Sequence, residues 1–174
     1  GAPTLISYGV ESDSIYGHAA AEGVIAVGAI GANDPLDPDY SNDPDYENIK
    51  PYSSQGKSTV YTFPVGETPI RTERESLDVA GIDGVWTKVN DLGYWGEPDK
   101  PFNGTSAGAP HIAAIAALLK EINPNLTPGE VVDLIDENAY DLGDAGYDDV
   151  FGHGRADALA IISAASTQLT LTAG

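Results

Sequence analysis

The stretch Asn103-Gly104-Thr105-Ser106-Ala107-Gly108-Ala109-Pro110-His111, running on to Ile122, decides how this chain is read. After its glycines it is apolar almost all round: Ala109, Ile112, Ala113, Ile115, Ala116, Leu118, Leu119 and Ile122. That pattern predicts a helix buried in the middle of a domain. Ser106 stands where a loop of small residues enters the helix. N–H groups in a helix's first turn lack internal acceptors, and the dipole adds partial positive charge there. A serine so placed can attack a carbonyl while its own N–H faces the developing oxyanion. Gly104, Ala107, Gly108 and Ala109 would leave room for a substrate backbone. The same residues also suit an ordinary capping serine ahead of a closely packed helix. Residue types alone leave both readings open.

Outward from this segment, Val24-Ile25-Ala26-Val27-Gly28-Ala29-Ile30 reads as a strand buried on both faces. Residues 1–17 read as loop, and residues 33–48, dense in Asp and Pro, as an exposed loop. Short strands are expected at residues 60–63 and 77–80. Asn123-Pro124-Asn125 ends the apolar helix, and Thr127-Pro128-Gly129-Glu130 opens another as a capping box with Pro at the first helical position. The expected core face of this second helix is Val131, Leu134 and Ile135, with Asn138 as a further candidate. A third helix is expected over residues 156–165, and residues 167–172 alternate like an edge strand or the start of a linker. Buried strands with packed helices indicate an α/β fold with a mainly parallel sheet.

Composition narrows the function. Eight Lys and Arg against 27 Asp and Glu leave a formal charge of −19. Nucleic acid requires a basic face and anionic membranes recruit Lys and Arg, so neither is an expected partner. A hydrophobic fraction of 41% with 20% charged residues is a globular composition rather than a disordered one. The absence of Cys excludes disulfides, thiolate metal sites and a Cys nucleophile. No apolar run approaches the roughly 20 residues of a membrane span, and the start lacks a signal peptide's basic residues. Strong acidity suits an extracellular or saline setting. A chain without Met is expected to be a processed or excised piece.

Gly104-Thr105-Ser106-x-x-x-Pro110-His111 resembles the nucleophile motif of the subtilisin-like serine proteases. Other segments are similar to that family's motifs in the same order. Val24-Ile25-Ala26-Val27-Gly28-Ala29-Ile30 is similar to its strand motif, Tyr52-Ser53-Ser54-Gln55-Gly56 to its F-S-S-x-G segment, and Leu77-Asp78-Val79-Ala80 to its D-V-x-A-P-G element, with Gly81 and Ile82 in place of Pro and Gly. Leu126-Thr127-Pro128 and Gly152-His153-Gly154-Arg155-Ala156-Asp157-Ala158 are similar to its closing helices. The resemblance implies a three-layer α/β fold, with a mainly parallel sheet and a buried central helix, present here in part. It also implies a serine-type endopeptidase acting on peptide or protein substrates, with Ser106 as nucleophile and its N–H in the oxyanion hole, supported by Gly104 and Thr105. No cofactor is required, and the parent protein would be extracellular or in the cell envelope. Residues 1–166 would belong to the peptidase domain and residues 167–174 to a tail or linker.

Some family patterns are missing from the sequence. Ala107 replaces the usual Met, and no D-[ST]-G, H-G-T-H or A-G-N-x-G occurs. The resemblance therefore implies the C-terminal half of a catalytic domain, whose Asp, His and oxyanion Asn come from an N-terminal half as partner. Alone, such a chain is expected to be inactive and to expose an apolar edge and face. The alternative is a catalytically inactive remnant serving as a binding or structural module. His111 lies five residues after Ser106, about 7.5 Å along the axis and about 140° around it, and so is expected to point away as a structural histidine. His18 and His153 read as loop or packing residues. Gly104-Thr105-Ser106-Ala107-Gly108 also spells a G-x-S-x-G elbow, with Asp141 or Asp144 and then His153 in the required order. The prolines of residues 97–101 argue against the central strand that an elbow needs. Calcium is a candidate ligand of Asp34, Asp37, Asp39, Asp43 and Asp45, or of Asp144, Asp148 and Asp149, although solvated acidic loops account for both groups.

Overall fold

Two apolar runs with few side-chain options outside a core form the centre of the molecule. In the computed structural model, which describes residues 13–32, 48–87 and 101–172, they are strands β1 (Val27–Gly31) and β4 (Val79–Asp83). They pair in parallel, from Val27 opposite Val79 to Gly31 opposite Asp83. Between them in sequence, β2 (Ser58–Thr62) and β3 (Ile70–Arg74) form a separate antiparallel ribbon. β2 lies close to the expected strand at 60–63. β3 has no readable period, because Arg71, Thr72 and Glu73 are exposed on both faces.

Helix α1 (Thr105–Ile122) lies across β1 and β4. Its approach depends on two glycines. A Cβ on Gly81 of β4 would lie 2.8 Å from the Gly108 backbone, and one on Gly108 would lie 3.1 Å from the Gly28 carbonyl oxygen. Ala107 and Gly108 are thus buried against the sheet, so their small size serves helix packing and not access for a substrate. Beyond them Ile112, Ile115 and Leu119 continue the buried stripe.

Thr127 caps helix α2 (Pro128–Glu137): its hydroxyl accepts the Glu130 N–H, while the Glu130 carboxylate accepts the Thr127 N–H, as the capping-box spacing predicts. Helix α3 (Ala158–Thr172) follows. Val79 and the stripe of α1 join Leu126, Val131, Leu134, Ile135, Ile161 and Ala165 in one core cluster.

Three expectations are corrected here. α1 is buried on one face only, since Ala109, Pro110, Ala113, Ala114, Ala117 and Leu118 are exposed. The sheet edges are covered at their centres: the Lys50 N–H donates to the Ala29 carbonyl, the Ser53 hydroxyl accepts the Ala29 N–H, and the Ala80 N–H donates to the Gly154 carbonyl. Residues 167–172 are helical, not an extended tail. The Ser166 and Thr167 hydroxyls donate back to the Ile162 and Ser163 carbonyls, which accommodates them within the helix.

Candidate active site

Ser106 is the second residue of α1 and is exposed. Gly104 precedes the helix at φ 112° and ψ 164°, a conformation that residues with a Cβ rarely adopt. Having no side chain, it leaves the helix without a side-chain cap. The Gly104 carbonyl accepts the Ala107 N–H at 2.8 Å. Among the described residues, none accepts the Ser106 N–H or bonds the Ser106 hydroxyl. Four residues on, Pro110 has no N–H, so the Ser106 carbonyl also lacks its usual helical donor. An exposed hydroxyl, a free amide and the positive end of an 18-residue helix therefore coincide.

A fully buried carboxylate lies beneath this loop. Asp83, the last residue of β4, has an exposure of 0%. Its Oδ1 accepts the Gly84 and Gly104 N–H groups, both at 2.7 Å, and its Oδ2 accepts the Tyr52 hydroxyl. Burial, and then the Asp83 carboxylate, push the Tyr52 phenol above its ordinary range, so the hydroxyl stays protonated and donates. Sequence reading missed this unit. Its only signals were an acid ending an apolar strand and a tyrosine in place of the phenylalanine of F-S-S-x-G.

None of the three histidines is bonded to Ser106. The His111 Nδ1 lies 2.8 Å from the Ala107 carbonyl on its own helix. His18 is exposed in a 3₁₀ turn, Gly17–Ala20. The His153 Nε2 lies 3.7 Å from the Asp136 carboxylate, and the His153 ring meets Tyr147 edge-on with centroids 5.4 Å apart.

Residues 7–154, which include all of these groups, match the sequence model of the Subtilase family. The chain belongs to the subtilase family. Mycosin-1 of Mycolicibacterium smegmatis is 27% identical over 158 residues, covering 80% of this subtilase and 35% of the relative. Mycosin-4 of Mycobacterium tuberculosis is 38% identical over 115 residues, covering 66% and 24%. Bacillopeptidase F of Bacillus subtilis is 36% identical over 72 residues, covering 39% and 5%. The chain thus spans about a third or less of the length of these relatives. A solved protease of Pseudoalteromonas arctica superposes with a TM-score of 0.53 at 24% identity, covering 86% of this chain and 38% of that one. A solved lanthipeptide protease gives 0.52 at 20% identity, covering 84% and 43%. The fold is therefore the α/β fold of subtilisin-like proteases, represented in part, and the family is one of serine proteases.

The elbow reading of this subtilase's G-x-S-x-G does not assemble, because His153 turns to Asp136 and not to Asp141 or Asp144. Asp136 stands in the last turn of α2. Burial and the nearby Asp78, Asp133 and Glu137 charges push its carboxyl from 3.8 up to about 7. Asp78 is also raised by burial, while the Ala26 N–H it accepts at 2.6 Å and the neighbouring His153 pull it back. Asp34, Asp37, Asp39, Asp43 and Asp45 lie outside the described residues. Asp148 spends its carboxylate on the Asp144, Val150 and Phe151 N–H groups. Among the described residues, no acidic group is arranged to hold a metal ion.

Proposed function

We propose that these residues form the C-terminal portion of a secreted subtilisin-like serine endopeptidase and contribute its nucleophile, Ser106. The reading is carried by one observation: an exposed serine with an unengaged amide at the head of the long helix, inside the Gly104-Thr105-Ser106 motif. The Ser106 Oγ attacks a peptide carbonyl, and its proton passes to a histidine oriented by an aspartate, both from an upstream segment. The developing oxyanion takes a hydrogen bond from the Ser106 N–H and another from an asparagine of that same segment. The leaving amine receives the histidine's proton, and water then hydrolyses the acyl-enzyme. Gly104 and Thr105 support the loop. No metal or cofactor enters these steps. The name of a Serratia marcescens relative, extracellular serine protease, which is 40% identical over 55 residues, supports secretion.

The chain alone is proposed to be inactive, because an unassisted serine hydroxyl needs a base within about 3 Å and no described histidine supplies one. A fluorophosphonate reagent tests both statements. The chain should not be labelled by itself, and the chain joined to an upstream half carrying the missing motifs should be labelled at Ser106 and should cleave an unfolded protein. Labelling of the isolated chain at Ser106 would mean that a local base exists. Failure of the joined protein to label would favour a non-catalytic binding module.

A further inference from the structure

Asp83 has no part in the chemistry above, yet among the described residues it is the most completely buried acidic side chain. A carboxylate out of water is costly unless hydrogen bonds replace its hydration. Here three donors do so, and each comes from a different part of the fold: the end of β4 through Gly84, the Tyr52 segment, and the loop ahead of α1 through Gly104. No described lysine or arginine pairs with it. Gly104 needs such an anchor. It has no side chain, its φ of 112° is one of many that glycine can adopt, and no side chain caps the helix it precedes.

We infer that Asp83 is a positioning residue for Ser106. Its Oδ1 fixes the Gly104 amide, and the Gly104 carbonyl in turn holds the Ala107 N–H. The two bonds bracket Thr105 and Ser106 and set the direction of the serine's hydroxyl and N–H. Tyr52 completes the device: its protonated hydroxyl holds the other carboxylate oxygen, so the side chain cannot rotate away from the loop. This inference rests on Ser106 being the nucleophile, where a displacement of about 1 Å can cost on the order of 100-fold in rate.

The experiment uses three variants, in the 174-residue chain and in the full-length protease. Asp83→Asn keeps an oxygen for both amides and is expected to hold kcat within about threefold of the original. Asp83→Ala leaves both amides unsatisfied, and kcat should fall about 100-fold with KM little changed. Tyr52→Phe should lower kcat by about threefold to tenfold. Hydrogen exchange at the Gly104 amide, read in the chain without any activity, should be slow in the original and in Asp83→Asn and fast in Asp83→Ala. Equal exchange in the original and Asp83→Ala overturns the inference, as does an unchanged kcat in folded Asp83→Ala. If Asp83→Ala does not fold, Tyr52→Phe decides: original kcat together with original exchange at Gly104 overturns it. An unlabelled full-length protease counts against Ser106 as nucleophile, while the exchange measurement still decides the anchoring of Gly104.

Discussion

At the scale of single residues, the contact between Gly81 and Gly108 admits no methyl group. Gly81→Ala directs its Cβ at helix backbone, which cannot swing aside as a side chain can. It should destabilise the chain by about 3 kcal/mol or prevent folding, measured by urea unfolding. Gly108→Ala, with its nearest contact at 3.1 Å, should cost about 1–2 kcal/mol. Asp136 carries the pH dependence. A carboxyl whose folded-state pKa lies above its unfolded value holds its proton more tightly in the native state. The native state therefore loses ground as pH climbs from about 4 to about 7, and nothing further is lost above that. Asp136→Asn should raise Tm at pH 8, by a gain on the order of 1–3 kcal/mol, and match the original at pH 4. The place of Ser106 at the head of α1 was legible because its neighbours in sequence are its neighbours in space. Asp83 was not, since beyond the adjacent Gly84 its partners Tyr52 and Gly104 lie 31 and 21 residues away, and an acid ending an apolar strand does not name them.

At the scale of elements, α2 was the most legible, because a capping box is written within four consecutive residues and stays within them in the fold. Thr127→Ala removes the acceptor of the Glu130 N–H and should cost about 1 kcal/mol in thermal unfolding. α1 was legible as a helix but not in its burial. Alanine, proline and leucine read alike on a covered face and an open one, so the apolar pattern did not say that the exposed apolar face expected of the chain alone would include Ala113, Ala114, Ala117 and Leu118 of this helix. α3 runs on through residues 167–172, expected as an edge strand or the start of a linker, and the Ser166 and Thr167 hydroxyls return to the helix's own carbonyls there. The strands differ for a related reason. β1 and β4 are apolar and easily read, whereas the ribbon is stabilised by its own pairing and by surface contacts such as Arg71 with Glu73, 2.6 Å apart.

For the whole molecule, the open face of α1 and the net charge of −19 oppose each other. An apolar surface favours association, and the shared negative charge resists it until salt screens it. The chain should therefore self-associate more at about 1 M salt than at about 0.1 M in light scattering. Leu118→Asp should reduce that association, and an added upstream half should abolish it. The family fold was legible at this scale because its motifs occur in order along the chain. The β2–β3 ribbon has a different bearing. Its base is fastened where the Ser58 and Ser76 hydroxyls meet, both almost fully buried, while Phe63 and Val65 at its far end are 73% and 102% exposed. Chain can be lengthened at such a tip with little disturbance to what is anchored at the base. A fluorescent protein or affinity module spliced between Pro64 and Val65 would then ride on the folded chain as a handle, outside its core.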